Sequence, residues 1–137
     1  IDMGIFKGKK GQKLFIMMPV GSKVMAVLLI GIGKINEFKE PDSLSLGGKI
    51  FQELYNMKIK RAQIVVDFSN TKLKLNDSVL ASNIAFGALL KSYKFDKYKT
   101  TDKKEDNHII ENFEIITKNE KEANSLFKIN ESIYEGI

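Results

Sequence analysis

The sequence predicts an α/β fold of three layers, with a mixed sheet lying between helices, and three observations predict it. Strand-favouring runs alternate with helix-periodic stretches along the chain, the pattern of stacked sheet and helix layers. Residues 24–30 (Val24, Met25, Ala26, Val27, Leu28, Leu29, Ile30) are apolar without alternation, as in a strand buried on both faces. The 43% hydrophobic and 28% charged fractions over 137 residues suit one domain with one core.

Each element can be justified in turn. Residues 1–11 form an entry turn, with Gly4, Gly8 and Gly11 set among lysines. Residues 13–18 form a short apolar strand ended by Pro19, whose missing N–H suits a strand end. Pro19, Val20, Gly21 and Ser22 supply turn chemistry before the strand at 24–30. Gly31 and Gly33 break that strand, and a polar loop follows to Pro41.

Asp42 or Ser43 caps a helix that extends to Met57, with Leu46, Ile50, Leu54 and Met57 as its buried stripe. Gly47 and Gly48 lower its helix propensity, and close packing against a sheet is the expected compensation. Residues 62–68 read as the next strand and 69–71 as its turn. Asn76 caps a second helix through Tyr93, which is apolar nearly all round (Val79, Leu80, Ile84, Phe86, Ala88, Leu89, Leu90) and so is buried or forms an interface. Residues 113–117 give a last strand. A helix begins at Glu120, with Ala123, Leu126, Phe127, Asn130, Ile133 and Tyr134 on one side. The order is β-β-α-β-α-β-α.

Composition excludes several function classes. No apolar run approaches the roughly 18–20 residues of a membrane span, since Lys23 and Lys34 bracket the longest one, so no membrane partner is expected. No secretory signal is present, and zero cysteines removes disulfides and thiolate metal sites. A cytoplasmic location is expected. The net charge of +5 invites a nucleic-acid reading, but Arg61 is the only arginine. Ile and Asn, abundant here, share AT-rich codons with Lys, and a genomic bias would give the same lysine count. The chain opens at Ile1 and closes at Ile137 inside a helical stretch, so it is expected to be a piece of a longer protein.

The motifs that could carry chemistry are weak. Gly31, Gly33 and Lys34 follow a strand as in a phosphate loop. The dinucleotide motif would need glycine at Asn36, and the phosphate-loop motif would need glycine at Leu28 and Ser or Thr at Ile35. A plain turn is the better reading. His108 is the only histidine and reads as a solvated side chain. The carboxylates Glu105, Asp106, Glu111 and Glu114 lack calcium-loop spacing and read as a charged face. No serine sits in a nucleophile elbow. Neither a catalytic nor a metal-binding residue is identified.

The stretch 86–106 is the most distinctive. Lys91, Lys94, Lys97, Lys99, Lys103 and Lys104, interleaved with Tyr93, Phe95 and Tyr98, form a candidate nucleic-acid contact. Asp96, Asp102, Glu105 and Asp106 dilute its field. In the competing reading the aromatics anchor the segment in the core while the lysines snorkel outward.

Three patches carry a family resemblance. Phe6, Lys7, Gly8, Lys9, Lys10, Gly11 and Gln12 lead into an apolar strand, and residues 27–34 end a hydrophobic strand in Gly31, Ile32, Gly33 and Lys34. Most specific is the signature from Gly87 through Ser92, Tyr93, Phe95, Asp96, Tyr98, Lys99 and Thr100 to Lys103, Lys104, Glu105 and Asp106. Residues 131–136 add a helix start. The chain resembles the N-terminal domain of the leucyl (cytosol) aminopeptidase family of metallopeptidases, with Tyr93, Phe95, Asp96 and Tyr98 as structural signature residues.

The resemblance implies a macro-domain-like fold. Residues 1–130 would be the non-catalytic N-terminal domain, and 131–137 the start of the helix joining it to a catalytic domain. It implies a parent that releases N-terminal residues, often leucine, from peptides. Two divalent metals, manganese or zinc, would be held by that other domain and not by this chain. It also implies a homo-hexamer in which this domain shapes access and assembly, with DNA binding in some bacterial members. The family's first strand would precede Ile1. The alternative is a nucleic-acid-binding module working through residues 91–104. A third reading is an ADP-ribose site near Gly31 and Gly33.

Overall fold

A computed structural model describes residues 6–66, 76–99 and 110–135. The chain divides into two compact units, Ile1–Phe38 and Lys39–Ile137.

In the first unit, β1 (Lys13–Met17) pairs antiparallel with β2 (Ala26–Ile30), Lys13 opposite Ile30 and Met17 opposite Ala26. Pro19 and Ser22 close the connecting turn, the Ser22 N–H donating to the Pro19 carbonyl at 3.1 Å. Gly21 sits there at φ 95°, in the left-handed region that glycine enters at no steric cost. The second strand begins later than the apolar run at 24–30 suggests. It is half-buried along its whole length, not buried on both faces.

The second unit starts with α1 (Glu40–Asn56). Its start is earlier than the expected cap at Asp42 or Ser43. Pro41 falls in the first turn, where an N–H has no helical partner, and Asp42 acts from inside the helix. Its carboxylate accepts the Lys39 N–H at 2.8 Å. At the other end Lys58 adopts φ 59°, and the Ile59 N–H donates back to the Leu54 carbonyl at 3.0 Å. This is a Schellman ending in which a lysine takes the position glycine prefers.

Next come β3 (Arg61–Val65), α2 (Asp77–Lys99), β4 (Asn112–Ile116) and α3 (Glu120–Glu135). Strands β3 and β4 are parallel, Ala62 opposite Phe113 and Ile64 opposite Ile115, with α2 in the crossover between them. Asn76 caps α2 as expected, its Oδ1 accepting the Ser78 N–H at 2.7 Å. Asn119 caps α3 in the same way, accepting the Glu122 N–H at 3.1 Å. The α/β class is therefore as the sequence predicts: three helices with one antiparallel and one parallel strand pair among the described residues, consistent with a three-layer domain.

Helix α2 is the centre of this unit and packs against α1, α3 and β4. That is why its apolar residues surround it. Leu80, Ala81, Ile84 and Ala88 are buried, with Ser78 and Ser82 beside them. The buried positions of α1 are Ser43, Gly47, Ile50 and Leu54, so Gly47 and not Leu46 is at the contact. On α3, Ala123 is buried and Leu126 and Phe127 half-buried, as expected, but Ile133 is 60% exposed.

The compensation for Gly47 is close packing against a helix, not a sheet. A Cβ at Gly47 would collide with the main-chain carbonyl of Ile84, and one at Gly87 with that of Leu44. The two backbones approach so closely that neither position has room for a methyl group. Gly48, one residue on, would place a Cβ 3.7 Å from the Gly87 oxygen, an ordinary contact.

Neighbouring glycines should thus respond with opposite signs. Gly47→Ala and Gly87→Ala should each destabilise by about 3 kcal/mol, the upper range for overpacking, because backbone must move. Gly48→Ala should stabilise by up to about 1 kcal/mol through helix propensity, and Lys58→Gly by about 1 kcal/mol through relief of the left-handed conformation. Urea titrations of the four variants decide it. Equal midpoints for Gly47→Ala and Gly48→Ala would show that the helices are not in close contact at Gly47.

Candidate functional site

The stretch singled out at 86–106 is helical as far as Lys99, six residues beyond the end expected at Tyr93. Its lysines and aromatics up to that point are therefore spaced by a helix and not by an irregular loop. Phe95 packs edge-on against two rings of α1, with centroids 5.4 Å from Phe51 and 4.5 Å from Tyr55. Phe51 and Tyr55 lie one helical turn apart, their centroids separated by 6.2 Å. The Lys91 ammonium lies over the Phe95 ring, 5.8 Å from its centroid. Ser92 turns its hydroxyl back onto the Leu89 carbonyl at 2.6 Å. Tyr93 is half-buried.

Three rings and one cation thus lock the second half of α2 onto α1. Edge-to-face pairs of this kind add about 0.5–1.5 kcal/mol beyond their buried area, and the cation about 0.5–1 kcal/mol. The sequence marked Phe95 but not Phe51 and Tyr55. An aromatic pair at i and i+4 on one helix is the signal that points to them.

Of the candidate basic residues, Lys91 and Lys94 have described side chains. Lys91 is engaged with Phe95, whereas Lys94 is exposed. The side chains of Asp96, Lys97, Tyr98 and Lys99 lie outside the described residues, as do Thr100, Lys103, Lys104, Glu105, Asp106 and His108.

The N–H groups of Gly31 and Gly33 are not free for a phosphate. Gly31 N–H donates to the Gln12 carbonyl at 2.8 Å and Gly33 N–H to the Gly8 carbonyl at 2.9 Å. A Cβ at Gly31 would collide with the Lys9 carbonyl, so that glycine is required by backbone packing. The Gln12 side chain completes the arrangement, its Oε1 accepting the Lys7 and Lys9 N–H groups at 3.0 and 3.2 Å.

Of the carboxylates, Glu111 lies 3.8 Å from the exposed Arg61 guanidinium. Glu114 accepts from Asn112 at 3.0 Å and, across the strands, from Gln63 at 3.2 Å. The Asn112 bond, followed by that from Gln63, holds its carboxyl below the ordinary 4.5, against a smaller opposing effect of burial. Among the described residues no three potential ligands gather in a metal-binding group, and no helix is long and apolar enough to cross a membrane. A shallow open depression is lined by Glu40, Pro41, Leu44 and Asn83. There the Asn83 amide donates to Ser43 Oγ at 3.1 Å, which leaves the depression mainly a feature of helix packing.

A second polar junction joins α2 and α3. One carboxylate, Glu122, accepts from Asn119 Nδ2 at 3.0 Å and, more distantly, from Asn76 Nδ2 and Ser78 Oγ, both at 3.4 Å. Both helix N-termini therefore share one anion, the sign their dipoles favour. Sequence reading missed this second role of Glu122. The Asn76 cap was visible in the sequence, but the Asn119 cap was not read there, and nothing local says that the two meet.

The profile of the cytosol aminopeptidase family's N-terminal domain matches residues 1–102. A protein of Rickettsia bellii (strain OSU 85-389), named "Probable cytosol aminopeptidase", is 43% identical over 133 residues, 96% of this chain and 26% of the relative. Proteins bearing the same name from Rickettsia rickettsii (strain Sheila Smith) and Wolbachia pipientis wMel are each 35% identical. The first aligns over 133 residues (96% of this chain, 26% of the relative), the second over 122 (88% and 21%). The chain spans about a quarter of the length of the curated relatives it matches.

Two expectations follow from the side-chain geometry. Phe95→Ala should cost about 2–3 kcal/mol, below the full-burial range because the ring is half-exposed, and Lys91→Ala about 0.5 kcal/mol. A Phe95→Ala midpoint in urea equal to that of the parent would mean the three rings are not packed. Glu114 has a depressed pKa, so its contribution is present above the unfolded value and is lost as pH falls through the folded one. Acid titration should show that loss below 4.5, and Asn112→Ala should make it shallower. An unaltered acid profile in that variant would remove the Asn112 bond as its cause.

Proposed function

The chain belongs to the cytosol aminopeptidase family, as its N-terminal domain, and from this we propose that it is the accessory and assembly domain of a leucyl aminopeptidase. The observation that carries the proposal is the similarity over 96% of the chain to a relative bearing that family's name. Only about a quarter of that relative is covered, and in this reading the peptidase chemistry lies in the remainder of such a protein. In this reading the parent releases N-terminal residues from peptides in the cytoplasm and assembles as a homo-hexamer. Two divalent metals, manganese or zinc, would supply water activation and carbonyl polarisation there.

The described residues of this chain do not fit such metals. They offer no cluster of three ligands, and the sequence holds one histidine and no cysteine. No step of hydrolysis is assigned to them. Their part is mechanical. Helix α2 is clamped to α1 by glycine contacts and rings, and to α3 by the Glu122 junction. A clamped α3 suits a helix that leads from this domain to a catalytic one. The macro-like fold implied by the resemblance belongs to the same reading. Nucleic-acid binding through 91–104 gains no support, since Lys91 is engaged with Phe95.

The test is hydrolysis of leucine p-nitroanilide with added manganese, measured on the complete gene product and on the 137-residue chain. Activity in the first and none in the second is the expected result. Activity in neither, with leucine and other N-terminal residues tried, would defeat the proposal.

A further inference from the structure

We draw no further inference here: the strongest candidate, the exposed apolar patch of Met17, Val20, Val24 and Met25 at the turn end of the β1–β2 hairpin, carries none, because nothing in the structure shows what covers it.

Discussion

The arrangement of the second unit depends on one constraint: two helix backbones approach so closely that no side chain fits between them. Gly47 faces the Ile84 carbonyl and Gly87 faces the Leu44 carbonyl, each glycine serving the opposite helix. That reciprocity fixes the crossing point of α1 and α2 and their rotation about their own axes. Side chains on either side of the crossing then fall into place. Toward the helix starts, Asn83 reaches the fully buried Ser43, whose hydroxyl in turn bonds the Glu40 carbonyl. Toward the other end, Phe51 and Tyr55 meet Phe95. A bulky residue at the crossing would separate both groups at once, leaving a buried hydroxyl short of a partner and opening the ring cluster.

With α1 fixed on one side, α2 has its opposite side left for α3. Polar contacts rather than large apolar ones start that second packing. Ser78, 1% exposed, directs its hydroxyl at the Asn119 carbonyl and the Glu122 carboxylate. The shared carboxylate aligns the two helix starts, and Ala123, Leu126 and Phe127 follow it along α3. Beyond them the packing thins, and Ile129 and Ile133 are exposed. The α3 helix is held firmly at its start and less so toward its end.

Much of this was legible in the residues, and the misses have physical causes. Caps are local chemistry, so Asn76 was readable from its own position before an apolar helical stretch. Pro41 misled by a few residues because proline ends a helix in its interior but suits its first turn. The run 24–30 resembled a doubly buried strand because strand propensity does not report what covers a strand's faces; Val24 and Met25 prove to be exposed. The end of α2 was hidden for a different reason. After Leu90 its sequence loses the helical alternation of apolar and polar residues, since Phe95 needs to meet only two rings. Lysine and tyrosine continue a helix readily without displaying its period. Gly47 was noticed as costly but assigned the wrong neighbour, because a sequence shows that space is scarce and not what occupies it.

The same distinction governs the functional reading. A lysine-aromatic stretch can stack bases only if its rings are open and its cations converge. Here Phe95 is committed to Phe51 and Tyr55, and Lys91 is committed to Phe95. A glycine loop can hold phosphate only if its N–H groups are free, and those of Gly31 and Gly33 are bound to main-chain carbonyls. In both places the features that suggest ligand binding are consumed by the domain's own packing. Rings and N–H groups spent on internal contacts are not open to a ligand.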